Sequence, residues 1–254
     1  MTKTILITGA TSGIGEATAR LLSAHQYRLI IAGRRTDRLH RLAEELALIN
    51  KSEILPITLD VRDRSAVEEK LQSLPIEFST IDVLINNAGL AAGLNPIHEG
   101  DPDDWEAMID TNLKGLLWVT RTVAAVMAER GSGHIINLSS IAGKETYPMG
   151  NVYCATKHGV ESLTKALRLE LLHKGIKVTS VAPGAVSTEF SAVRFKGDLE
   201  RAGAVYKGFQ PLDAEDIAET ILFVITRPVH VNIDDILIMP TAQGYSRDFN
   251  RNNG

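Results

Sequence analysis

The stretch KTILITGATSGIG, residues 3–15, decides the fold. A short β-rich apolar run ends at a glycine and passes at once into a helical pattern, which is the start of a strand–turn–helix unit. The three glycines have separate uses. Gly9 can make the turn off the strand, Gly13 can let backbone amides approach a pyrophosphate, and Gly15 can let the helix lie against the sheet. The helix amino terminus then faces an anion. Gly9, Thr11, Ser12, Gly13, Ile14 and Gly15 are therefore the candidate phosphate cradle, although their spacing differs from the common G-x-G-x-x-G fingerprint.

Working outward, apolar runs at 3–8, 27–32, 52–58, 81–86, 133–139, 176–182 and 234–239 read as strands. Most are continuous rather than alternating, as expected of parallel strands covered on both faces. Helical patterns lie between them at 13–25, 37–50, 65–73, 103–130, 152–174 and 213–226. Ser65 with Glu68 has capping-box form, Asp101-Pro102 offers an N-cap followed by proline, and Asp213 opens the last helix. The expected fold is α/β, a single doubly wound Rossmann-type domain over residues 1–254 with a seven-stranded parallel sheet. Residues 187–212 read as an insertion over the carboxyl edge of that sheet, a substrate loop. The tail, 241–254, carries no strand or helix pattern and is expected to be extended or frayed.

Composition narrows the class. In 254 residues with 44% hydrophobic content there is enough apolar material for a sizeable core. A net charge of −4 gives no electrostatic case for nucleic acid or an anionic membrane. No apolar run of about 18 residues occurs, so no membrane span is expected. The amino terminus lacks the pattern of an export signal, and the cytoplasm is the expected location. One cysteine, Cys154, excludes an internal disulfide, and seven scattered histidines argue against a zinc site.

The second strand carries the next signal. Dinucleotide sites usually place an Asp or Glu about 20 residues beyond the glycine loop, on the adenosine ribose. Here Gly33 stands in that position, followed by Arg34 and Arg35. A guanidinium can bind a 2′-phosphate bidentately where a carboxylate would repel it, so NADP(H) is expected rather than NAD(H). In NVYCATKHG, residues 151–159, Tyr153 and Lys157 share a helix face. An ammonium near a phenol stabilises phenolate and would lower its pKa from about 10. An ordinary surface pair is the alternative on spacing alone.

TGATSGIG, NNAG at 86–89, a serine thirteen residues before a tyrosine, and YCATK together resemble the short-chain dehydrogenase/reductase family over about residues 2–240. The resemblance implies a role for each motif. Asn112, Ser140, Tyr153 and Lys157 match the family's catalytic tetrad, with Asn112 holding a water that links Lys157 to solvent. Asn87, Ala88 and Gly89 would support the central sheet and the adenosine ribose, and Asp60 and Val61 would meet the adenine. Pro183, Gly184, Val186 and Thr188 would hold the nicotinamide. The residue types suit carbonyl reduction: Tyr153 can give the proton an alkoxide needs, and Ser140 can stabilise charge building on the oxygen. Ser139 is the rival to Ser140, and Cys154 is expected to be only a small buried side chain.

DWEAMIDTNLKGL, TEFSAVRFKGD and HVNIDDILIMPTAQ are similar to the branch acting on small 3-hydroxy acids (serine, allo-threonine, 3-hydroxypropionate) or on sulfoacetaldehyde and isethionate. Arg194, with Lys196 second, is the candidate holder of the substrate's anionic group. A 3-oxoacyl-carrier-protein reductase, a broad carbonyl reductase and a non-catalytic NADP-binding sensor stay open. The resemblance further implies a homotetramer, with Leu163, Leu167 and Leu171 on a pairing surface, and Tyr245 and Phe249 reaching a neighbouring subunit.

Overall fold

The computed structural model describes residues 2–251. Seven parallel strands form one sheet in the order β3-β2-β1-β4-β5-β6-β7. They are β1 (Thr4–Thr8), β2 (Arg28–Gly33), β3 (Ile54–Thr58), β4 (Val83–Asn86), β5 (Gly133–Leu138), β6 (Ile176–Pro183) and β7 (Asp235–Ile238). The order reverses beside β1, so a crevice opens at the carboxyl ends of β1 and β4, where α/β sheets hold ligands.

The continuous apolar runs are explained by two cores. Along β1, Ile5 and Ile7 point to one face and Leu6 to the other. On the first face lie Leu22 of α1 (Gly13–Ala24), Leu39 of α2 (Thr36–Asn50), and Ile217 and Ile221 of α9 (Ala214–Ile225). On the second lie Val67 of α3 (Arg64–Gln72) and Val119, Val123 and Met127 of α5 (Leu116–Arg130). Burying each Leu or Ile contributes about 1.5–3 kcal/mol.

The helix caps follow the sequence in two of three cases. Asp101 accepts from Asp103 N at 3.0 Å with Pro102 opening α4 (Pro102–Ile109), and Asp213 with Asp216 forms a capping box on α9. The third expectation is corrected. The cap of α3 is Asp63, whose carboxylate accepts from Ala66 N at 3.0 Å, and Ser65 is already inside the helix. A carboxylate two residues earlier reaches the free N–H first.

The helix expected over 103–130 is interrupted. Between α4 and α5 the chain makes a π-helical turn, Asp110–Gly115, with Thr111, Asn112 and Gly115 buried. A Cβ on Gly115 would lie 2.6 Å from Val61 Cγ2, so the close seating of this turn requires glycine. π turns concentrate at functional sites.

The 187–212 insertion carries two short helices, α7 (Glu189–Arg194) and α8 (Leu199–Ala204). The tail is not frayed as far as Arg251: β8 (Gln243–Tyr245) pairs antiparallel with β9 (Asp248–Phe249). Phe249 stacks on Phe209 of the same chain at 4.5 Å, and the Arg251 guanidinium donates to Lys207 O and Val205 O. These side-chain anchors have no strand period, which hid them from the sequence. Residues 252–254 of that tail lie outside the described residues. Leu167 and Leu171 of α6 (Asn151–Leu171) pack on this chain's own second core, whereas Leu169 is exposed. No helix of the described residues is long and apolar enough to cross a membrane.

Candidate active site

One cavity of about 730 Å³ runs along the carboxyl ends of the strands. It is lined by Gly9, Thr11, Ser12, Gly13 and Ile14 of the first loop, by Arg34 and Arg35, and by Asp60 and Val61. Asn87, Ala88 and Gly89, then Pro183, Gly184, Val186 and Thr188, continue the wall to Ser140, Tyr153, Lys157 and Arg194. Besides Lys196, two expected residues stand outside it, Gly15 and Asn112, and each shows why.

Gly15 is a packing position. A Cβ there would sit 2.4 Å from both Gly9 O and Asn87 Nδ2. Asn87 holds this turn by donating to Thr8 O at 2.9 Å and Gly9 O at 3.1 Å, so the loop after β4 braces the glycine loop. Gly9 and Gly13 have φ of +68° and +52°, left-handed values that favour glycine. Asn112 is buried in the π turn behind the cavity. Its Oδ1 accepts from Leu90 N at 2.8 Å, and its Nδ2 donates to Leu90 O at 2.9 Å and Thr156 Oγ1 at 3.0 Å. The Asn112 side chain thus fixes the Leu90 backbone and ties the π turn to α6 through Thr156.

The two arginines also differ. Arg35 donates to Thr11 Oγ1 at 3.1 Å, Thr11 O at 3.1 Å, Ser12 Oγ at 2.6 Å and Glu189 at 2.9 Å. It ties the glycine loop to the start of α7. Arg34 has no hydrogen bond or ion pair to the described residues, and its side chain borders the cavity. Gly33, the last residue of β2, is closely approached: a Cβ would lie 2.8 Å from Thr11 Cγ2, so a side chain there must displace Thr11. Asp60 is held below the ordinary carboxylate range by its hydrogen bonds to Arg62.

At the other end of the cavity, Ser140 follows β5 and caps a single 3₁₀ turn, its Oγ accepting from Ala142 N at 3.1 Å. Tyr153 and Lys157 face the cavity one turn apart on α6, both buried. Burial pushes the phenol up, Tyr147 adds to this, and the Ser140 hydroxyl and the Arg194 cation pull it back. Burial also pulls the Lys157 ammonium down to about 8, opposed by Glu161. The expected depression of the phenol by Lys157 is therefore corrected. Both groups are desolvated, Lys157 Nζ donates to Leu138 O at 2.8 Å, and the cation acting on the phenol is Arg194. A phenol held up keeps its proton at neutral pH, the form a general acid needs.

Arg194 lies with its guanidinium carbon 5.7 Å from the ring centres of both Tyr153 and Tyr147, and donates to Tyr147 Oη at 3.0 Å and Gly93 O at 3.2 Å. Phe190 packs against Tyr153, tilted, with 5.7 Å between ring centres. Lys196 faces outward, paired with Asp101 and Asp104 at 3.1 and 3.0 Å, and does not line the cavity. Cys154 is buried, with its thiol pushed up by burial.

Several lining residues were not foreseen. Tyr147 is approached by Arg194 and also by Arg247, whose guanidinium carbon is 4.7 Å from its ring centre. Gln243 of the tail accepts from Ala185 N at 2.8 Å and fills the space beside Gly184, where a Cβ would come within 2.3 Å of its Oε1. Ser246, Phe249 and Arg251 also reach the cavity. Only Gln243 could have been suspected, from the glycine it must meet. Thr111, Ser139 and Ser246 border the cavity with buried hydroxyls that have no partner among the described residues. A left-handed glycine cradle at one end, an uncommitted arginine beside it and unpartnered hydroxyls along the wall suit a phosphate-bearing dinucleotide.

Similarity to known proteins agrees with this geometry. A short chain dehydrogenase family profile matches residues 3–198. The chain is 48% identical over 243 residues to an NADP-dependent 3-hydroxy acid dehydrogenase of Salmonella typhi, covering 95% of this chain and 96% of that one. It is 45% identical over 247 residues to sulfoacetaldehyde reductase 2 of Chromohalobacter salexigens, covering 97% of each. The closed form of a serine dehydrogenase complexed with NADP+ superposes with a TM-score of 0.92 at 46% identity, covering 96% of this chain and 97% of that one. With motif, sheet order, cavity and likeness in agreement over nearly its whole length, the chain belongs to the short-chain dehydrogenase family.

Proposed function

We propose that this protein is an NADP(H)-dependent oxidoreductase that interconverts a small 3-hydroxy acid, or isethionate, with the corresponding aldehyde or ketone. The observation that carries the reading is the convergence of Ser140, Tyr153, Lys157 and Arg194 on one cavity whose far end is the glycine cradle. When bound, the coenzyme supplies or accepts the hydride. Gly9, Thr11, Ser12, Gly13 and Ile14 with the α1 amino terminus would hold its pyrophosphate, and Arg34 its 2′-phosphate, while Arg35 keeps the glycine loop in shape. Asp60 and Val61 would border the adenine, Asn87, Ala88 and Gly89 the adenosine ribose, and Pro183, Gly184, Val186 and Thr188 the nicotinamide.

In the reducing direction Ser140 donates a hydrogen bond to the carbonyl oxygen, and Tyr153 Oη gives that oxygen its proton as charge builds there. Lys157, one helical turn from Tyr153 on the cavity wall, would supply the proton that replaces the one the phenol gives up. Arg194, set against Tyr147 and Tyr153, takes the carboxylate or sulfonate one or two carbons from the reacting carbon, with Arg247 also beside Tyr147. The relatives' printed names, a 3-hydroxy acid dehydrogenase and a sulfoacetaldehyde reductase, share such an anionic group. We further propose a cytoplasmic homotetramer, in which exposed apolar residues such as Leu117, Val126 and Leu169 on α5 and α6 meet other copies.

The test compares wild type and Arg194→Ala on a carboxylated aldehyde, sulfoacetaldehyde and a neutral aldehyde, with NADPH. Loss of a charge-assisted pair worth about 1.5–3 kcal/mol raises KM for both anionic substrates by about 10- to 100-fold and leaves the neutral one within a few-fold. An equal change on all three contradicts the assignment of substrate class.

A further inference from the structure

Behind the cavity, on the face of α6 that carries Tyr153 and Lys157, the next turn places Glu161. Its side chain is only 8% exposed, an uncommon situation for a carboxylate. Glu161 Oε1 accepts from Ser180 Oγ on β6 at 2.8 Å and pairs with Lys144 Nζ at 3.3 Å. Lys144 in turn pairs with Asp235 on β7, whose side chain reaches the surface. The backbone is closed tightly around the group: a Cβ on Gly143 would come within 2.8 Å of Lys157 O and 3.0 Å of Glu161 Cγ. Charges thus alternate from the cavity wall to the end of the sheet: Lys157 lies one helical turn from Glu161, Glu161 pairs with Lys144, and Lys144 pairs with Asp235. The acid–base reading of the cavity uses Lys157 alone and leaves the other three unexplained.

We propose that Glu161 is a positioning residue for the reaction, which holds the charge of Lys157, and that Lys144 and Asp235 set how strongly it does so. This inference rests on the oxidoreductase reading above. Lys157 needs such a partner because it is buried, and its hydrogen-bond acceptor among the described residues is neutral, Leu138 O at 2.8 Å. Desolvation favours the neutral amine, and the Glu161 carboxylate opposes it. The remaining charged and titratable groups around the pair are Tyr153 on α6, Lys144 from the turn after β5, and Asp235 from β7, with Ser139 and Ser180 as neutral neighbours. Lys144 partly cancels Glu161, and Asp235 partly cancels Lys144. Removing successive members of an alternating series therefore acts on Lys157 with alternating sign. A residue that merely fills space has no such signature.

The experiment follows the Lys157 amine by ¹⁵N-lysine NMR across pH in wild type, Glu161→Gln and Lys144→Met, and the alkaline midpoint of carbonyl reduction in the same proteins. Glu161→Gln keeps the shape and the Ser180 bond, and lowers the Lys157 midpoint by about one pH unit or more, the size expected of a charge several Å away. Lys144→Met raises it, and the kinetic midpoint moves with the NMR midpoint in both variants. Unmoved midpoints, or shifts of the same sign in both variants, overturn the role of Glu161. Should Glu161→Gln fail to fold, Lys144→Met carries the test alone, and an unchanged or lowered midpoint overturns the proposal. Midpoints that shift as expected in a protein that turns over no aldehyde with NADPH overturn the oxidoreductase reading instead, and the catalytic meaning of Glu161 with it.

Discussion

Removing Arg34 and Arg35 one at a time should separate two roles that adjacent arginines conceal in a sequence. Arg34 makes no hydrogen bond or ion pair with the described residues and borders the cavity, so its guanidinium is available to a 2′-phosphate. Two charge-assisted hydrogen bonds at a partly exposed site are worth about 1.5–3 kcal/mol together, or about 10- to 100-fold in affinity. Arg34→Ser therefore raises KM for NADPH by that factor and leaves NADH, which has no 2′-phosphate, nearly unchanged. Arg35 makes four bonds, to Thr11 Oγ1 and O, Ser12 Oγ and Glu189, all within the protein. Arg35→Ala loosens the glycine loop that both coenzymes share and weakens both by a similar several-fold factor. The assay is steady-state kinetics with NADPH and NADH against one aldehyde. Equal losses on both coenzymes for Arg34→Ser, or an NADPH-selective loss for Arg35→Ala, refute the division. Installing an aspartate at Gly33 is a poorer test, because its Cβ would press within 2.8 Å of Thr11 Cγ2 and disturb the loop itself.

Other expectations follow from the same contacts. Gly15→Ala, whose methyl would sit 2.4 Å from Gly9 O and Asn87 Nδ2, abolishes NADPH binding by fluorescence titration and lowers Tm, while Gly203→Ala, with nothing within 4 Å, raises stability by about 0.5–1 kcal/mol. Lys157 releases its proton near 8 when folded and near its ordinary 10.5 when unfolded, so the unfolded chain binds more protons between those values. The stability of wild type relative to Lys157→Met, from urea midpoints, therefore rises with pH over that window and is flat below it; a fall would contradict the burial argument. His134 is held neutral by burial, with its pKa near 3 instead of 6.5, and its Nε2 meets Thr179 Oγ1 at 2.9 Å. Below pH 6.5 the unfolded chain gains a proton the folded chain refuses, costing up to about 1.4 kcal/mol per pH unit, and His134→Asn shows a shallower acid limb.

The fold was legible because its signals are local and repeated. Each parallel strand is a short apolar run, as with Ile5, Leu6 and Ile7, which feed two cores at once. The glycine loop was legible because left-handed backbone and close approach restrict residue choice at Gly9, Gly13 and Gly15. What escaped depends on partners distant in sequence. The π turn at Asn112 exists because Gly115 seats on Val61 and Asn112 binds Leu90, and helix period alone could not show it. The ordered tail depends on Gln243 meeting Ala185 and Phe249 meeting Phe209. The direction of the Tyr153 shift was misjudged because spacing reports proximity on a helix but not burial, and here burial outweighs the charge. The chemistry of Arg194 singled it out and it lines the cavity, but its contact with Tyr147, 47 residues away, depends on tertiary structure that the sequence does not display.

The most direct test of the account is the Tyr153→Phe protein in single-turnover NADPH oxidation with an anionic aldehyde, alongside a coenzyme-binding titration. Loss of one oxygen atom should leave NADPH affinity within a few-fold and slow hydride transfer by about 10²–10⁴, the contribution of a positioned proton donor. A variant that still oxidises NADPH at the wild-type rate would show that the proton comes from elsewhere and that this cavity works by another chemistry.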